Sequence, residues 1–139
     1  MIFLGLDNYP DPPPCLVMEK AGRLKVERTP DGRIDCEKTQ CPFKSIPHIM
    51  GGVFGTYCWL RGKVYNSIVE ELTGFSLYED LNRDQLEEML RRLSEPEGEV
   101  KVEIAVLLDD ERERLRIDLV RYLKTLLETG WNGKLVAWY

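Results

Sequence analysis

Residues 100 to 108, VKVEIAVLL, set Val100, Val102, Ile104, Val106 and Leu108 on one side of an extended chain and Lys101, Glu103, Ala105 and Leu107 on the other. Alternation at period two belongs to a β-strand with one buried face and one face at least half exposed. A sheet built on such a strand is covered on one side only. The segment therefore predicts a two-layer α+β sandwich and argues against a parallel sheet sheathed in helices on both faces.

The helices that cover the sheet are expected after Gly62, where the apolar period changes. Val64, Ile68 and Leu72, flanked by Tyr65 and Val69, recur at helical spacing up to Gly74, a residue suited to a left-handed C-terminal cap. Ser76 with Glu79, and Asn82 with Gln85, have the spacing of a capping box. Leu86, Met89, Leu90 and Leu93 form a second stripe. Asp110 with Glu113 opens a third helix, which carries Leu115, Leu119, Tyr122, Leu123 and Leu126 and is closed by Gly130. KLVAWY then returns as a last strand; if it runs parallel to residues 100 to 108, the crossover is right-handed.

The first third reads differently. MIFLGL is expected as an opening strand cut off by DNYPDPPP, whose three successive prolines favour an extended polyproline conformation and no helix. Residues 15 to 36 alternate apolar runs with turn chemistry, Pro30 and Gly32 included, and predict a β-meander. The sum is one domain over residues 1 to 139, with a mixed, mostly antiparallel sheet and about three helices on one face.

Composition bounds the function. At 43% hydrophobic and 31% charged the chain is globular, and no run approaches a membrane span or a secretory signal, so a cytoplasmic protein is expected. A net charge of -5 argues against nucleic acid, since phosphate neutralisation needs clustered Lys and Arg. Gln and Asn are scarce while Glu, Lys and Arg abound, a thermophile-like bias that keeps intracellular disulfides in play.

Chemistry concentrates in DCEKTQCPFKSIPHIMGGVFGTYC, which holds Cys36, Cys41, Cys58 and the only histidine, His48. Zinc favours thiolate and imidazole donors in tetrahedral sets, so Cys36, Cys41 and Cys58 with His48 or water form one candidate site. A disulfide, in which Cys15 can also take part, and plain buried thiols are the other two readings. A reactive thiolate at Cys58 is a further one, with His48 as its base: Cys58 precedes a helix start, where amide dipoles, Arg61 and Lys63 favour the anion. Gly51, Gly52 and Gly55 with Arg61 and Lys63 form a candidate anion-binding surface, although neither dinucleotide nor P-loop spacing is present. The function expected from these residues is that of a small binding or adaptor protein working through residues 41 to 63 on an unknown small molecule or protein. A cysteine-dependent enzyme or redox protein, or a small zinc-binding protein, is the alternative.

Overall fold

The computed structural model describes residues 5–46, 57–94 and 110–139. Among them the order is β1 (Asp7–Asp11), α1 (Pro14–Lys20), a 3₁₀ turn (Pro42–Ser45), α2 (Gly62–Thr73), β2 (Leu81–Asn82), α3 (Arg83–Ser94), α4 (Asp110–Glu128) and β3 (Lys134–Trp138). β3 is central and pairs antiparallel with both neighbours, setting Tyr9 opposite Val136 and Leu81 opposite Leu135. The fold is α+β in two layers, as the sequence predicts. The alternating segment from 100 to 108 lies outside the described residues.

The late helices follow their patterns. Gly74 and Gly130 both adopt positive φ, at 78° and 81°. The Asn82–Gln85 capping box closes in both directions, each side chain taking the other residue's N–H at 2.9 Å. Leu86, Met89 and Leu93 of α3 and Leu119, Tyr122, Leu123 and Leu126 of α4 are buried with Trp131 and Leu135 in one core. Arginines from neighbouring segments finish these helices. Arg92 donates to the carbonyl of Thr73 and Arg116 to that of Leu93, each at 2.6 Å, while Arg23 and Arg83 serve the end of α4. Each guanidinium satisfies carbonyls that the last turn leaves open and sets positive charge at the negative end of the dipole.

Several expectations are corrected. The face of α2 that turns inward carries Tyr65, Ile68 and Val69; Val64 is 43% exposed. Gly62 fixes that rotation, because it lies so close to Leu6 and Asn8 that a side chain there would collide with both. Ser76 and Glu79 form a turn, not a helix start, with the Ser76 hydroxyl accepting the N–H of Tyr78 at 3.1 Å. Among the described residues the first strand is Asp7–Asp11; residues 1 to 4 of the expected opening strand MIFLGL lie outside them. Asn8 pairs outward with Leu60, so Pro10, two residues on, meets the free edge, where a missing N–H costs no ladder bond.

The predicted meander is replaced by a helix and a turn. Pro14 occupies the first turn of α1, where its absent N–H is one the helix would not use, and its fixed φ suits the start. Met18 is buried, and the N–H groups of Ala21, Gly22 and Arg23 close the helix end. Of the meander only the turn survives: Gly32, at φ 90°, donates to Thr29 at 2.9 Å, and Arg28 faces Ile34 across it.

Candidate functional site

Four separate segments bring the four cysteines together. Pro14 sets the first turn of α1 and with it Cys15. Beyond the Thr29–Gly32 turn, the Asp35 carboxylate accepts the N–H groups of Glu37 and Lys38, which curls the chain around Cys36. Buried Thr39 locks that curl, its hydroxyl donating to the Asp35 carbonyl at 2.8 Å and accepting the N–H of Glu27 at 3.0 Å. Cys41 follows at once and leads into the 3₁₀ turn begun by Pro42. Cys58 arrives from the other direction, and its carbonyl accepts the hydroxyl of Tyr122 in α4 at 2.5 Å.

All four line one small cavity of about 20 Å³, together with Ile34, Phe43 and Tyr57. That volume is about the room one water or ion occupies. Cys15, Cys36 and Cys58 also face a larger groove of about 870 Å³ in which Tyr9 and Trp59 stack at 5.0 Å between ring centres. Cys41 lines the cavity but not the groove.

The thiols are unpaired, and each is half-buried. Burial pushes Cys15 up to about 11, and the neighbouring sulfurs of Cys36 and Cys41 push it the same way. Cys58 is driven higher still, by burial first and then by Cys41, Cys15 and Cys36. Cys36 and Cys41 are also raised by burial. The backbone N–H of Tyr57 opposes this at Cys36, and those of Phe43 and Lys44 oppose it at Cys41, without closing a side-chain cap. Burial is the first cause at all four, and neighbouring sulfurs add to it at Cys15, Cys41 and Cys58, so the protonated thiol is favoured throughout. Among the described residues, no three such side chains are already gathered closely enough to hold an ion as they stand.

This geometry bears on the other sequence expectations. The lowered pKa expected of Cys58 is opposed by burial, and neither Arg61 nor Lys63 is among the influences on its sulfur. Arg61 and Lys63 are exposed at the start of α2 and line neither cavity nor groove. The amides there are already engaged: Gly62 donates to Leu60 at 2.9 Å, Lys63 to Leu6 at 2.9 Å and Val64 to Arg61 at 3.0 Å, which leaves none of the three for an anion. His48, Gly51, Gly52 and Gly55 lie outside the described residues. Cys15 is the residue that sequence reasoning undervalued. Its only local signal is that it brings the cysteines to a complete set of four.

No family model, curated protein or solved structure matches this chain. Among the described residues, no helix is long and apolar enough to cross a membrane.

Proposed function

We propose that this chain is a small zinc-binding protein of the cytosol, in which the thiolates of Cys36, Cys41 and Cys58 hold the ion. The observation that carries the reading is the shared cavity. Cys58 returns across sixteen intervening residues to line the same space of about 20 Å³ as Cys36 and Cys41. Coordination removes the thiol protons and offsets the burial that otherwise keeps these sulfurs neutral. Backbone N–H groups facing Cys36 and Cys41 favour the charged form that a metal needs. The donors are soft and sulfur-rich, which suits zinc and disfavours magnesium or calcium.

Metal analysis of the purified chain tests this. About one zinc per chain, displaced by a strong chelator with an increase in titratable thiols, is the expected result. A fully reduced, correctly folded chain that takes up neither zinc nor cobalt refutes it.

A binding role rests on a separate observation, the groove of about 870 Å³ floored by three of the cysteines and walled by Tyr9 and Trp59. Its shape and mixed lining are those of a ligand site. A ligand found by melting-shift screening should lose its effect in Trp59→Ala; binding that survives the substitution removes the groove from the account.

A further inference from the structure

A zinc ion on three thiolates needs a fourth donor, and the sequence offers His48 or water for that place. The described residues offer a better one. Among the described residues no Asp or Glu lines the cavity, whereas Cys15 does, and Cys15 reaches it from α1, more than twenty residues before the nearest of the other cysteines. We infer that Cys15 is the fourth ligand, which makes the site a closed four-cysteine set around a single ion.

This inference rests on the zinc reading above. The cavity admits about one ion, too little for a polynuclear iron–sulfur cluster. Cys15, Cys36, Cys41 and Cys58 all line that one cavity, although they come from four separate segments of the chain. Tetrahedral Zn–S bonds of about 2.3 Å set sulfurs roughly 4 Å apart, so loading draws the four half-buried side chains closer around the ion.

A closed set has no open coordination position, so the ion's role is structural. It joins α1, the turn at Cys36, the 3₁₀ turn and the approach to α2. The segment from Cys15 to Cys41 is thereby tied to the helical core through Cys58.

The experiment uses the full chain in four forms: wild type, Cys15→Ser, Cys36→Ser and His48→Ala, each loaded with zinc or cobalt. Zinc X-ray absorption of the wild type should give four sulfurs at about 2.3 Å; three sulfurs and one nitrogen or oxygen near 2.0 Å overturns the inference while leaving the zinc reading intact. Cobalt-loaded Cys15→Ser should lose about one quarter of the near-ultraviolet thiolate-to-metal intensity and more than about tenfold in affinity, as Cys36→Ser does, with His48→Ala unchanged. Unchanged spectra in Cys15→Ser with losses in His48→Ala overturn it as well. Absorption on the wild type decides the matter even if Cys15→Ser fails to fold. Failure of the wild type to bind either metal defeats both readings together.

Discussion

Replacing Tyr122 with Phe removes one oxygen at the point where α4 holds the approach to Cys58. The ring is fully buried and tilts against Phe43 with centres 5.4 Å apart, and the hydroxyl donates to the Cys58 carbonyl at 2.5 Å. Burial raises the phenol well above its ordinary value, so the group remains a donor at any workable pH. Phenylalanine preserves the volume and opens no cavity, so the loss is confined to the bond and to the carbonyl left without it. A net hydrogen bond contributes about 1 kcal/mol and an unsatisfied buried acceptor costs about 1–3 kcal/mol, which places the expected destabilisation near 2 kcal/mol. For a domain of this size that is a fall of roughly 4–10 °C in Tm. Urea unfolding followed by tryptophan fluorescence, on chelator-treated chain, reads it without contribution from metal. A Tyr122→Phe variant within about 0.5 kcal/mol of the parent, the spread of ordinary surface substitutions, shows that the hydroxyl does not hold this segment.

The Leu77 backbone is clasped by two asparagines, its N–H going to Asn66 at 2.7 Å and its carbonyl accepting from Asn8 at 2.8 Å. Asn66→Ala should cost about 1–3 kcal/mol and abolish hydrogen-exchange protection of the Leu77 amide; retained protection contradicts the assignment. Gly62→Ala should destabilise by about 1–3 kcal/mol because the added Cβ would lie 2.7 Å from Leu6, reversing the roughly 1 kcal/mol gain that helix propensity alone would give. A higher Tm in this variant rules the clash out. For the metal-free chain, Cys15 titrates at about 11 when folded against 9.0 unfolded. Its contribution is therefore complete below pH 9 and lost as pH rises toward 11, and the slope should shrink in Cys15→Ser. The zinc-loaded chain responds in the opposite sense, losing its ion on acidification as protons compete for the thiolates, a difference visible in paired melting curves.

The long helices were legible because each repeats its apolar face over several turns, and α2 and α4 are closed by Gly74 and Gly130. The Asn82–Gln85 box was legible because both partners lie within one turn, so no distant contact is needed to close it. α1 was not. Seven residues give too little periodicity to separate a helix from a strand, and the neighbouring prolines argue against helix until one of them proves to occupy its first turn. β1 was hidden for a different reason: DNYPD has the composition of a turn, and only pairing with β3 and Leu60 makes it a strand. The inward face of α2 was misjudged because steric contact at Gly62 chooses between adjacent apolar stripes.

The thiol cavity joins these two kinds of region. Helices α2 and α3 and the C-terminal half of α4 bury a continuous apolar stripe, whereas the buried apolar residues from Pro14 to Phe43 are Pro14, Met18, Val26 and Phe43. A segment with so few anchors has little hydrophobic free energy to set against the entropy of ordering it. It relies instead on specific polar locks, such as Thr39 against Asp35 and Glu27 and Arg23 against the end of α4. Three of the four cysteines sit on this thinly packed side and the fourth, Cys58, leads directly into α2. An ion shared among them would act where apolar packing is sparsest, and small domains use structural zinc in that position for the same energetic reason. The neighbourhood of Cys36, Cys41 and Cys58 is written in the local sequence. The part played by Cys15 is not, because it depends on where α1 docks.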